Sequence, residues 1–204
     1  MPVFHEIKTE DFHLGLWRIE EELSFFENLF PHSPDIKNEQ QRLQWFATRH
    51  LTNELLGETV LIKNDVNGKP VLEPTTYHIS LSHTNLWAAA LLSKHNPVGI
   101  DIELIHPRVE RIAHKFITLR ELESIKTNER IEKLILYWSA KEALYKLYGR
   151  GGLDFKSQLL IDDFNLNTSG ELAARIETEN FSSGRLRLHY NFLEEHVLTY
   201  VVGR

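Results

Sequence analysis

The sequence predicts an α+β fold of two similar halves, each with helices packed on a small, largely antiparallel sheet, and three observations lead there. Short β-type runs follow one another, broken by Asn-Gly, Pro and Asn, and two long helical patterns carry Trp and stop at Gly. A faint internal echo also lays LWRIE (16–20) on GIDIE (99–103), and WFATRHLTNELLG on WSAKEALYKLYG with a one-residue offset. It divides the chain into halves 1–97 and 98–204, and it sets Arg18 where Asp101 stands. Only the second half then carries a carboxylate pair, so one site is expected.

The elements follow in order. EEELSFFENLF (20–30) is the first helical candidate, ended by Pro31. Asn38 is an N-cap for the longer helix NEQQRLQWFATRHLTNELLG (38–57), with apolar residues at Leu43, Phe46, Ala47, Leu51 and Leu55 and a stop at Gly57. TVLIKND, the turn VNGKP, YHISLSHT and WAAALLS read as strands of a small sheet, and VGIDIEL (98–104) as another. The chain then turns helical across RVERIAHKFIT, LRELESIK and ERIEKLILYWSAKEALYKLYG (129–149), before QLLIDDFNLN, LAARIET, LRLHYNF and HVLTYVVG return to strands.

Composition narrows the function. With 204 residues, 42% hydrophobic and 25% charged, the chain buries a core unaided, and no apolar run approaches the roughly 20 residues that span a bilayer. The first residues, MPVFHEIKTEDFHLGLW, are acidic where a secretory signal is basic and then apolar, so export by that route is not expected. A net charge of −6 argues against a broad nucleic-acid or anionic-membrane surface. Zero cysteines exclude disulfides, thiolate metal sites and a Cys nucleophile, which fits a cytoplasmic protein of hard-cation chemistry.

Asp101 and Glu103 are two apart on a strand, so they project side by side while Ile100, Ile102 and Leu104 face the other way, toward the core. Alternation alone favours a half-exposed strand whose polar face is merely wet. The chemical reading is a hard-metal site in which the carboxylates hold Mg²⁺ and a substrate phosphate. KEALYK supplies Lys141, Glu142 and Lys146, and Glu142 and Lys146 share a helix face. Alone they are an ordinary i,i+4 ion pair worth about 0.3 to 0.5 kcal/mol. Together, three carboxylates and two lysines describe a metal with its phosphate clamp. Ser82 and His83 stand at a strand end and Lys69 follows a turn. Nothing resembles a nucleophile elbow or a phosphate-binding G-x-x-x-x-G-K-[ST] loop, and GRGG (149–152) ends a helix instead of opening one.

NGKP, ISLSHT, VGIDIE, RIAHKFITLRELESI and WSAKEALYKLYGRGGL, in this order over 68–153, resemble the Sfp-type 4'-phosphopantetheinyl transferase family. The resemblance implies that family's pseudo-dimeric fold, with the coenzyme A site between the halves, and a monomer. It implies transfer of the phosphopantetheine arm of coenzyme A to a serine of an acyl or peptidyl carrier protein, releasing adenosine 3',5'-bisphosphate. By position, Asp101, Glu103 and Glu142 would bind Mg²⁺ with the coenzyme A pyrophosphate. Lys69, Pro70, Ser82, His83, Lys141 and Lys146 would contact coenzyme A, and Glu142 and Lys146 would be catalytic. Before residue 68 the match is loose. The basic residues for the 3'-phosphate are therefore open among Lys8, Arg18, Arg42 and Arg49, with Arg49 preferred, and the chain is short for the type.

Carrier proteins of this family are acidic, and HPRVERIAHKF (106–116) sets Arg108, Arg111 and Lys115 on one helical stripe next to the site strand, as a docking surface or a plain solvated face. Two other readings stand beside transfer: a degenerate relative that binds coenzyme A or a carrier without transfer, and a different Mg²⁺-dependent phosphoryl-transfer enzyme that turns over ATP without coenzyme A.

Overall fold

A computed structural model describes residues 3–30, 34–73, 75 and 77–203, and the chain divides into two compact units, Met1–Asn96 and Pro97–Arg204.

The first unit opens with the hairpin β1 (His5–Lys8) and β2 (His13–Arg18), followed by α1 (Leu23–Leu29) and α2 (Glu39–Leu56). The ribbon β3 (Leu61–Asn64) and β4 (Pro70–Glu73) precedes β5 (His78–His83) and β6 (Trp87–Ser93). The main sheet runs β1-β2-β6-β5, antiparallel at every pairing. Helix α2 starts where the Asn38 side chain accepts the Gln41 N–H at 2.9 Å and ends at Gly57, whose φ of 70° is left-handed. Its Phe46, Ala47, Leu51 and Leu55 pack with Trp17, Phe26 and Ile79 in the unit's core.

α1 is shorter than its apolar pattern predicts. Glu21, expected inside the helix, turns its carboxylate back onto the Trp17 indole N–H at 3.0 Å and the Glu20 amide at 3.2 Å, holding the chain in a turn. The Pro31 stop lies outside the described residues. In the turn between β3 and β4, the Asp65 carboxylate accepts the amides of Asn67 and Lys69 at 2.8 and 2.9 Å, and Gly68 supplies a φ of 83°. β4 therefore starts at Pro70, within the stretch that reads as turn.

In the second unit, β7 (Val98–Leu104) leads through a 3₁₀ turn (Pro107–Arg111) to α3 (Ala113–Phe116), α4 (Leu119–Glu123) and the long α5 (Arg130–Tyr148). β8 (Leu159–Ile161), β9 (Ser169–Thr178), β10 (Phe181–Ser182), β11 (Leu186–Leu193) and β12 (His196–Val202) complete it. Strand order is β10-β9-β11-β12-β7, with β8 on β9. Leu134, Ala140, Ala143 and Leu144 of α5 pack with Leu172, Leu188, Val197 and Val201 of the sheet, and Gly149 closes the helix at φ 67°. The continuous basic helix expected over 106–116 is broken in two. The His106 ring caps the 3₁₀ turn by accepting the Arg108 N–H at 3.1 Å, and α3 is a single turn. Three residues per turn still keep Arg108 and Arg111 on one side.

The residue-level echo does not hold. Trp17 faces α2, its ring 4.8 Å from that of His50. Arg18, the next residue on β2, therefore points to the opposite face, whereas Asp101 lies on the face of β7 that α5 covers.

Candidate active site

On β7, Gly99, Asp101 and Glu103 share the face that α5 crosses. The crossing is very close: a Cβ on Gly99 would overlap the Ala143 carbonyl oxygen and stand 2.9 Å from the Leu147 nitrogen. Over Asp101 and Glu103, α5 presents Trp138, Glu142 and Lys146, spaced i, i+4, i+8 on one helix face. The Lys146 ammonium donates to Asp101 Oδ1 at 2.7 Å, and the Trp138 indole N–H donates to Glu103 Oε1 at 2.9 Å. The plain wet-face reading of the strand fails, because Asp101 is 3% exposed and Ile100 and Ile102, on the opposite face, are 0% and 1% exposed.

Crowding of acids sets the electrostatics. Burial, and then the charge of Asp101, push Glu103 up from 4.5 to about 7 against the opposing Trp138 hydrogen bond and Lys146 charge. Glu142 is also pushed up from 4.5 to about 7, by burial and then Asp101, with Lys146 opposing. Asp101 thus acts on both glutamates, and Lys146 is the cation that partly opposes it at each. Among the described residues no group of three His, Asp or Glu side chains is arranged to hold a metal ion. The donor chemistry nonetheless suits a hard cation: all three acids offer oxygen, burial and then the charge of Asp101 raise two of them, and the chain has no cysteine to compete.

Lys141 is a correction. Its side chain is fully buried and its ammonium donates to the Phe116 carbonyl at 2.6 Å and to Glu121 at 2.9–3.0 Å, so it is not presented to a ligand as the sequence motif suggested. Adjacent helix residues point about 100° apart, and with Glu142 turned to β7, Lys141 turns into the core. Trp138 is the residue that motif reading passed over. Its signal was its place one turn before Glu142 on the same face.

The remaining candidates belong to the first unit. Lys69 ends the Asp65 turn, half-buried, with burial drawing its pKa down and Asp65 opposing; Pro70 follows as the first residue of β4. Ser82, buried, and His83, exposed, end β5 opposite Ala89 and Ala88 of β6. The Arg49 guanidinium lies 3.8 Å from the Trp45 ring centroid and donates to the Trp45 carbonyl at 3.2 Å, and burial brings its pKa down to about 10.

The sequence model of the 4'-phosphopantetheinyl transferase superfamily matches residues 97–201, just over half the chain. The chain belongs to that superfamily. Among its superfamily relatives, 4'-phosphopantetheinyl transferase psf-1 of Bacillus pumilus is 36% identical over 110 residues, 50% of this chain and 47% of that one. 4'-phosphopantetheinyl transferase AcpT of Escherichia coli (strain K12) is 31% identical over 115 residues, 53% of this chain and 59% of that one. 4'-phosphopantetheinyl transferase Sfp of Bacillus subtilis (strain 168) is 30% identical over 88 residues, 41% of this chain and 39% of that one. The chain spans about half the length of the curated relatives it matches. The superfamily match covers β7 and α5, and with them every member of the carboxylate cluster.

Proposed function

We propose that this chain transfers the 4'-phosphopantetheine arm of coenzyme A to a serine hydroxyl of an acyl or peptidyl carrier protein, with Mg²⁺, releasing adenosine 3',5'-bisphosphate. The observation that carries this reading is the meeting of Asp101, Glu103, Glu142 and Lys146 inside the unit matched by the transferase superfamily.

In this reading the carrier serine oxygen attacks the phosphorus on the pantetheine side of the coenzyme A pyrophosphate. The new P–O ester bond forms as the phosphoanhydride P–O bond to adenosine 3',5'-bisphosphate breaks. Asp101, Glu103 and Glu142 would hold Mg²⁺, which when bound neutralises charge on the pyrophosphate. Glu142, on the helix face turned to Asp101, takes the serine proton in this reading. Lys146, its side chain 27% exposed, directs positive charge to the departing phosphate. Trp138 fixes Glu103 by its indole N–H. Lys69, Pro70, Ser82, His83 and Arg49 serve coenzyme A in this reading, and Lys141 does not.

The protein would act as a cytoplasmic monomer; among the described residues no helix is long and apolar enough to cross a membrane. The exposed Arg108, Arg111 and Lys115 would receive an acidic carrier. The deciding experiment is mass spectrometry of apo acyl carrier protein incubated with this protein, coenzyme A and Mg²⁺. A gain of one phosphopantetheine that EDTA prevents supports the reading. No gain across acyl and peptidyl carriers, with coenzyme A still bound, makes this a binding protein instead.

A further inference from the structure

Helix α5 has a second face. Lys133, Tyr137 and Lys141, again spaced i, i+4, i+8, all reach the segment between α3 and the end of α4. Lys141 takes the Phe116 carbonyl at 2.6 Å and Glu121 at 2.9–3.0 Å. Glu121, itself 6% exposed, also accepts the Thr118 N–H at 2.8 Å and the Thr118 hydroxyl at 3.0 Å, closing the capping box of α4. At the far end Lys133 donates to the Ser124 carbonyl at 3.0 Å, and the Tyr137 and Ser124 hydroxyls stand 3.3 Å apart. Residues 116–124 are thus pinned to α5 at both ends by buried ammonium groups.

The pinned segment bears on the carboxylates. The Phe116 ring is fully buried and packs on Trp138 at a centroid distance of 5.2 Å, and the indole of Trp138 is what holds Glu103. A buried ion pair is a poor source of net stability, because desolvation opposes its attraction, but it fixes geometry through directed bonds. Lys141 makes three such bonds, all of them to this segment or its cap.

We infer that Lys141 is a positioning residue: its ion pair with Glu121 fixes Phe116 against Trp138 and thereby sets where Trp138 holds Glu103, with no contact to coenzyme A. This rests on the transferase reading for its kinetic consequence, though not for its structural one.

The test compares Lys141→Met and Glu121→Gln in the full chain, with wild type as control. In transfer to apo acyl carrier protein with Mg²⁺, both variants should lose about 10-fold or more in kcat while KM for coenzyme A stays within about 3-fold. In hydrogen exchange without ligands, amides of 116–124 should lose about 10-fold or more in protection, while those of β9, β11 and β12 keep theirs. A KM for coenzyme A that rises about 10-fold in Lys141→Met but not in Glu121→Gln overturns the inference, since Lys141 would then be a ligand. Unchanged exchange over 116–124 overturns it too. If Lys141→Met does not fold, Glu121→Gln, which keeps the size and the Thr118 acceptor, carries both readouts. If wild type transfers nothing to any carrier, the transferase reading falls, and the exchange arm still decides the positioning role.

Discussion

Gly99 lies against the Ala143 carbonyl with no room for a Cβ between strand and helix. This contact sets the height and phase of α5 over β7, and so which helix residues meet Asp101 and Glu103. Gly99→Ala has no flexible side chain to displace, because the obstruction is backbone. It should destabilise the fold by about 3 kcal/mol or more, beyond ordinary overpacking. Urea unfolding checks this. A loss below about 1 kcal/mol would mean that the helix can lift, and the close crossing would not be what phases the site.

Asp101→Ala separates chemistry from stability. Asp101 raises both Glu103 and Glu142, and its partner Lys146 is near enough to the surface to find water. Removing it takes away repulsion as well as an ion pair, so the unfolding free energy at neutral pH should change by less than about 1 kcal/mol. In the proposed reading one of the three carboxylates that would hold Mg²⁺ is lost, so phosphopantetheine transfer should fall by about 10³-fold or more. An Asp101→Ala protein that transfers at near wild-type rate would end the carboxylate mechanism.

Much of this site was legible in the sequence, for reasons that particular residues make clear. Asn38, Gly57 and Gly149 mark helix ends by local chemistry alone, and the strand period of two puts Asp101 beside Glu103 without tertiary information. What periodicity cannot supply is the phase between elements. Lys141 and Glu142 are neighbours in the motif, yet only the Gly99–Ala143 contact decides that the second faces the strand and the first faces Glu121. The same ignorance hid the covering of Asp101, since alternation reports two faces without saying what lies over either. The broken helix after β7 was likewise invisible, because it depends on a histidine ring used as a cap.

The raised carboxylates give stability a pH dependence opposite in sign to that of an ordinary salt-bridged acid. Glu103 and Glu142 titrate near 4.5 when unfolded and at about 7 when folded, so the folded state binds their protons more tightly. Their contribution is complete below 4.5 and is lost as pH rises through about 7. Without divalent cations, the unfolding free energy should fall by on the order of 1–3 kcal/mol between pH 5 and pH 8, less than the simple sum because the groups are coupled. Excess Mg²⁺ should restore stability at pH 8 and do little at pH 5, where protons occupy the same oxygens. Urea titrations across this range decide it. A profile in Glu103→Gln/Glu142→Gln identical to that of wild type would assign the pH dependence to other groups.

Arg111 closes the 3₁₀ turn and Lys115 sits in α3, both exposed, and Leu119, 76% exposed, opens α4 just beyond them. An exposed leucine beside surface cations suits an acidic partner that also offers an apolar contact. Charge reversal, Arg111→Glu with Lys115→Glu, touches none of the bonds that hold residues 116–124, so the fold and the carboxylates should be unaffected. kcat/KM for the carrier should fall by about 10-fold, while KM for coenzyme A changes less than about 2-fold. The wild-type rate should also drop as salt rises from about 0.05 to about 0.5 M, and the reversed protein should lose most of that dependence, because the range of surface attraction shrinks from about 14 Å to about 4 Å over that span. Steady-state kinetics at several salt concentrations measure both. Equal losses for carrier and coenzyme A would show that this stripe is a solvated surface and that the carrier docks elsewhere.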